Sequence, residues 1–343
     1  MSRQMILFTA VTLTAPVLIT AAALWGGWWA VAALAFLTAI TASLDEFVSF
    51  ASAPGGEDRE FPEADRLATA LALAHFALLA LMITTLTRDW LNPLEKLATF
   101  AAAGLFFGQV SNSNAHELIH RSSRFLHGLG KWVYISVLFG HHTSAHPLVH
   151  HIHVATRADP SSARRGESLY RFMWRAWRGS FRQGAAVESA RLKRAGKPRW
   201  HHPYVMYIGG GALTLALAAL IGGPWGIAAL LALAGFAQTQ LLMSDYVQHY
   251  GLTRAIGGNG KPVPVAARHS WNTPHWFSSA LMLNAPRHSD HHAHPARPYP
   301  ALELPADAPM LPRSLPVMAC VALYPRLWRR VMDPRADEWT AKP

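Results

Sequence analysis

A chain of 343 residues that is 51% hydrophobic, only 15% charged and positive in mean hydropathy is not composed like a water-soluble domain. Its formal net charge of +11 fits membrane orientation, contact with anionic lipid or an acidic protein partner; nucleic-acid binding is excluded because the basic residues flank apolar runs and no nucleic-acid-binding module is present. The single cysteine, Cys320, excludes a disulfide framework and a cysteine metal site within one chain.

A helix needs about 20 residues to cross roughly 30 Å of hydrocarbon. Six predominantly apolar runs approach or exceed that length, at 5–24, 29–44, 66–87, 95–113, 204–222 and 225–247. The first two are joined by the aromatic turn WGGW, which reads as a hairpin at one interface, and the last two are separated by GGP. Arg3 and the TAAA stretch also fit a signal peptide, but the length of the first run and the second span that follows it favour membrane helices. The thirteen Trp read as interfacial anchors. The predicted fold is therefore all-α: one integral-membrane domain over 1–343, with six transmembrane helices and a helical cap formed by 114–203 and 248–343.

Short loops rich in Lys and Arg stay in the cytoplasm. Segment 116–202 holds 15 basic residues and 244–343 holds 11, and Arg3, Arg59 and Arg66 join them, which leaves Arg88 and Lys96 for the outer side. Both termini and the polar cap are thus expected on the cytoplasmic side of the inner membrane, as an even number of spans requires.

Nineteen histidines are far more than such a chain ordinarily carries, and most are clustered. His75 stands alone on an apolar helix and reads as a satisfied packing residue. The first cluster, His116 and His120 in HELIH, is spaced i, i+4 and spells the zinc-protease pattern with Glu117 as its base. His146, His150 and His151 repeat the i, i+4 spacing with an extra neighbour, and His288, His291 and His292 are spaced i, i+3, i+4 on one helix face. His249 stands at the end of the last span. Nine clustered imidazoles exceed what one ion takes, so two metals are the economical reading; imidazole suits Zn, Cu, Fe and Ni. A membrane zinc protease would leave most of these residues without a role, and a His-rich metal carrier is another reading.

The motifs as a set resemble a known family: the membrane-bound, rubredoxin-dependent alkane 1-monooxygenases, within the histidine-rich membrane diiron enzymes that include fatty-acid desaturases and xylene monooxygenase. The resemblance lies in NAHELIHR, in AHPLVHHIHVATRADPSSARRGESLYRF, in YVQHYGL, in RHSWNTPH followed by LNAPRHSDHHAHPARPY, and in the C-terminal YPRLWRRVMDPR, so it runs from about 95 to 335. It implies nine iron ligands, His116, His120, His146, His150, His151, His249, His288, His291 and His292, around two Fe ions. It also implies O2-dependent terminal hydroxylation of an alkane drawn from the bilayer, with electrons from rubredoxin and its NADH-dependent reductase. Ala145, Val149, Ala285 and Pro286 depart from the family pattern while leaving the ligand positions intact. A fatty-acyl desaturase or hydroxylase and an aromatic-methyl monooxygenase share the metal chemistry and are the alternatives.

Glu117 and Asp290 lie between ligands and are candidates to orient imidazole N–H groups, as are His269 and His275 and, with weaker claims, Asn112, Asn114, Asp245 and Asn272. Arg164, Arg165 and the RLWRR stretch at 326–330 are the residues expected to dock an acidic electron carrier, or to rest on membrane lipid headgroups.

Overall fold

The computed structural model describes residues 2–47 and 61–341, and Arg59 lies outside them. Helix α1 (Arg3–Trp25) starts on Ser2, whose Oγ accepts from Met5 N, and α2 (Gly27–Glu46) follows after one residue. That reversal needs the left-handed Gly26 (φ 61°), where any Cβ would stand 2.7 Å from the Leu91 side chain. The WGGW hairpin is tied to the start of α4 (Pro93–Leu105), because Glu95 both closes a capping box with Asn92 and accepts from Gly27 N at 2.8 Å.

Between these elements runs α3 (Pro62–Thr87). Helix α4 continues without a break through a π-turn (Phe106–Ser111) into α5 (Asn112–Ile119). The cap begins with α6 (Arg124–Ser136) and α7 (His142–Ala145), the latter extended by a π-turn (His146–His150) and a last turn His151–His153. Then come α8 (Leu169–Arg194), the 47-residue α9 (Pro203–His249), α10 (Trp276–Leu281), α11 (His288–Ala293), α12 (Leu315–Ala322) and α13 (Pro325–Ala341). Among the described residues there are no named strands, only two isolated bridges.

Four helices are long and apolar enough to cross a membrane: α1, α2, α3 and α9. Helix α9 carries both runs expected after residue 203. It breaks at Gly222 and the left-handed Gly223 (φ 59°), just before Pro224. The chain turns back so sharply there that a Cβ on Gly226 would stand 2.0 Å from the Ala218 carbonyl oxygen, eight residues earlier. The expected span 95–113 is helical throughout, but Gln109, Ser111, Asn112, Ser113 and Asn114 make its second half polar, and it is absent from the four.

Large apolar side chains on these helices point outward, Leu220 being 83% exposed and Val17, Leu73, Leu217 and Leu231 also exposed, as helices surrounded by lipid require. The protein is a membrane protein. Inside, small residues let helices approach: a Cβ on Gly108 would lie 2.4 Å from the Gln240 side chain of α9. The main apolar core runs from Met5 of α1 to Ala336 of α13, with a small second cluster around Ile135, Tyr204 and Tyr207. The chain's first hairpin reaches the cap directly, since Gln4 Nε2 donates to the Pro300 carbonyl at 2.8 Å and Asp45 accepts from the Phe277 and Ser278 amides.

Candidate metal centre

Each histidine cluster is delivered by a helix end. His116 is on α5 and His120 caps it; His249 is the last residue of α9; His288, His291 and His292 lie on α11. The second cluster lies on the π-turn after α7. Pro147 has no N–H to continue the α-helical ladder, and the backbone widens into i→i+5 bonding. That change of period brings His146 and His151, five residues apart, together at 2.8 Å between their Nε2 atoms, and turns His150 elsewhere.

The nine residues form two groups, His116, His120, His146, His151 and His291 in one, and His150, His249, His288 and His292 in the other, with the ligand atoms of each group within 4.8 Å of one another. The helix-face reading of the sequence is therefore corrected in one respect. The second and third clusters each divide between both groups.

The donor set fits metal ions. His146 Nε2 lies 2.7 Å from His116 Nε2 and 2.8 Å from His151 Nε2, and His151 Nε2 lies 3.1 Å from His291 Nε2. In the other group His288 Nε2 is 2.9 Å from His249 Nε2 and 3.1 Å from His292 Nε2. A neutral imidazole has one N–H, so protons cannot satisfy so many converging lone pairs; a cation can. Nitrogens each about 2.1 Å from one ion and at right angles stand about 3 Å apart, close to these separations. His120 Nε2 and His150 Nε2 are buried without a hydrogen-bond partner, as ligand atoms without their ion are. Five imidazoles exceed the four of a closed tetrahedral zinc site and suit an ion of higher coordination number, such as iron.

Electrostatics keep the lone pairs available. Burial first, and the neighbouring His150 second, hold His288 down to about 3, and burial with surrounding imidazoles holds His146, His151, His291 and His292 well below the usual histidine value. His150 differs: burial pushes it down, but the charge and hydrogen bond of Asp159 outweigh burial and leave it raised. Its Nδ1 lies 2.8 Å from Asp159 Oδ2, so Asp159 aims the opposite nitrogen at the second group. Ser162 Oγ and the Ser161 amide donate to Asp159 in turn. Sequence reasoning passed over Asp159; the available signal was a carboxylate closely following a ligand cluster.

The other candidates hold backbone more than rings. Glu117 accepts from Tyr299 N at 3.2 Å and pairs with Arg121 at 3.0 Å. Asp290 accepts from His294 Nδ1, Arg297 and the Glu303 amide. His275 precedes α10, and among the described residues none of Glu117, Asp290 and His275 hydrogen-bonds a ligand imidazole. His269 accepts from Ala266 N through Nδ1, and its backbone lies beside His249. Asn272 braces α11, accepting from Ser289 N at 2.9 Å and donating to Ser289 Oγ at 2.7 Å, while Trp271 Nε1 donates to the Tyr250 carbonyl. His75 is satisfied by Ser111 Oγ and Ser136 Oγ at 2.9 and 2.8 Å.

A cavity of about 30 Å³ lies against the centre, lined by His116, His146, His288, Asp245 and Tyr134 among others. A second, of only about 10 Å³, is lined by His75, Phe107 and Val133 and shares Asn112, Tyr134 and Leu241 with the first.

Apolar helices whose ends bring nine imidazoles into two groups define a histidine-rich membrane protein built to hold metal. The fatty acid desaturase family model matches residues 89–320. The chain is 35% identical over 271 residues to alkane 1-monooxygenase 1 of Alcanivorax borkumensis, covering 77% of this chain and 66% of that one. It is 30% identical over 320 residues to alkane 1-monooxygenase 2 of the same organism, covering 91% and 84%. To the xylene/toluene monooxygenase hydroxylase component of Pseudomonas putida it is 26% identical over 258 residues, covering 72% and 66%. The match spans slightly less than two thirds of the length of several of these relatives, 65% for alkane 1-monooxygenase 1 of Pseudomonas aeruginosa. The chain belongs to the fatty acid desaturase family, in its alkane 1-monooxygenase group.

Proposed function

We propose that the protein hydroxylates alkanes at the terminal carbon, R–CH3 + O2 + 2e⁻ + 2H⁺ giving R–CH2OH + H2O. The observation that carries this reading is the division of nine imidazoles into groups of five and four at the ends of apolar helices, in a chain similar to alkane 1-monooxygenases. Two iron ions held by these groups would supply dioxygen activation. The chain's own residues do the rest. Asp159 fixes the His150 ring, Asn272 fixes the start of α11, and apolar side chains beside the centre, Phe107 and Leu241 among them, keep water from the reacting carbon.

A single cysteine cannot bind an iron–sulfur centre, which supports a separate electron carrier, and the motif resemblance supports rubredoxin with its NADH-dependent reductase in that role. The basic residues of 116–202 and 244–343 support a cytoplasmic position for the centre and both termini, in the inner membrane. An aromatic-methyl substrate is a second reading, favoured by the similarity to the xylene/toluene enzyme. The zinc-protease reading loses its base, because Glu117 is engaged by Arg121 and Tyr299.

The test is purification followed by iron and zinc analysis and turnover with rubredoxin, its reductase, NADH and octane under labelled dioxygen. Two irons per chain and labelled 1-octanol are expected. Zinc with peptide cleavage would overturn the reading.

A further inference from the structure

Electrons for this reaction must cross the protein surface, and the two groups are not equally deep. His116, His120 and His151 of the five-imidazole group are partly exposed, whereas all four residues of the other group are buried. Beside His151, Ile152 is 56% exposed and His153 is exposed. The loop after α9 lies on this segment. Arg254 donates to the Ile152 and Val154 carbonyls at 3.0 and 3.4 Å, and its amide donates to the Ala155 carbonyl at 2.8 Å. Two residues further along the loop, Ile256 is 65% exposed, in a tight turn closed by its bridge to Pro262.

Single exposed isoleucines are ordinary, but Ile152 directly follows His151, and Ile256 lies on the loop that Arg254 ties to the Ile152–Ala155 backbone. The cations beside them are Arg157, Arg254 and Lys261, and among the described residues none of the three makes an ion pair. Neither 118–158 nor 249–289 contains a single Asp or Glu. An apolar centre with a one-sign rim is the composition of a transient protein interface steered by charge. A lipid surface would call for Trp or Tyr anchors, and neither 140–168 nor 249–265 exposes an aromatic side chain. By contrast Arg165, expected from the sequence to dock a carrier, is engaged along the Nε–Nη2 edge of its guanidinium by both carboxylate oxygens of Asp337.

We propose that Ile152 and Ile256, with Arg157, Arg254 and Lys261 around them, form the docking surface for a small acidic one-electron carrier protein, placed to deliver electrons at the His151 edge. The proposal rests on the oxygenase reading above; two carriers, each oxidised by one electron, serve one turnover. Binding of purified rubredoxin to the detergent-solubilised protein, iron content and salt dependence provide the test. Wild-type affinity should fall with added salt, and Lys261→Glu and Ile256→Glu should weaken binding about five-fold and ten-fold with iron content unchanged. Arg178→Glu on α8 changes net charge as much as Lys261→Glu and should leave binding as it was. Equal loss in Arg178→Glu, or no loss in the loop variants, overturns the proposal. So does a loop variant that binds rubredoxin normally but loses binding to phosphatidylglycerol vesicles. Wild-type protein that holds two irons yet oxidises no alkane with a chemical reductant sinks the oxygenase reading, a failure visible separately from the binding comparison.

Discussion

His150 Nδ1 and Asp159 Oδ2 stand 2.8 Å apart, both buried, and this pair sets the orientation of a ring that no other hydrogen bond holds. Asp159→Asn keeps the shape but removes the charge that makes the ring a better donor. Iron affinity should fall about 10-fold to 100-fold, read by metal titration of the apoprotein, and Asp159→Glu should recover part of it. Unchanged affinity in Asp159→Asn would show that packing alone orients His150.

The division into two groups predicts unequal lesions. His249→Ala removes one of the four imidazoles in the buried group and leaves the five-imidazole group whole. Bound iron should drop from two to about one per chain, with oxidation abolished. Retention of two irons and full activity would remove His249 from the ligand set.

Phe107 lines the small apolar cavity beside the one at the centre, together with His75 and Val133. Phe107→Ala enlarges it. In competition between octane and dodecane, gas chromatography of the alcohols should show the product ratio moving toward dodecanol by about five-fold, the range that a changed apolar contact gives.

Glycine contacts separate a yielding neighbour from an unyielding one. A Cβ on Gly104 meets the Phe236 ring at 2.4 Å, and a Cβ on Gly226 meets the Ala218 backbone at 2.0 Å. A ring can rotate; a carbonyl at a helix break cannot. Gly226→Ala should lower the melting temperature in detergent clearly more than Gly104→Ala, with a cost of about 3 kcal/mol against about 1 kcal/mol.

Stability should also follow pH through Glu167. Burial raises its carboxyl, but hydrogen bonds and charge from Arg175, with the Arg164 amide, outweigh burial and leave it below the usual glutamate value. The folded form therefore binds its proton less readily than the unfolded form. The contribution is complete above the ordinary carboxylate range and is lost as pH falls through the depressed value. Glu167→Gln should melt about 2 °C lower at neutral pH, and the gap should close in acid.

The histidine boxes were legible because ligand chemistry leaves few substitutes: side-chain type and helical spacing brought out all nine positions that the structure gathers. Which histidine joins which group was not legible, since a proline-containing π-turn shifts the period between His146 and His151 by one residue. Asp159 escaped notice for a related reason: a loop, not a helix face, returns it to His150. The four long apolar helices were readable from length and composition. The run after Pro93 was harder, because Gln109 and Asn112–Asn114 trade hydropathy for polar contacts, such as that of Asn114 with the Ala68 carbonyl. Glu117 shows the limit of a motif: HELIH spells a catalytic base, yet its carboxylate anchors a turn.

The mixed origin of the two groups has a consequence for biogenesis. The five-imidazole group needs His291 and the four-imidazole group needs His150, so each draws on an early and a late part of the chain. Neither ion can be fully held until the helices between them have been inserted with the correct handedness and the C-terminal cap has closed over their ends. On the diiron reading proposed above, complete ligand sets form only when early and late parts of the chain meet, so iron occupancy reports whether the helices that carry them have been assembled.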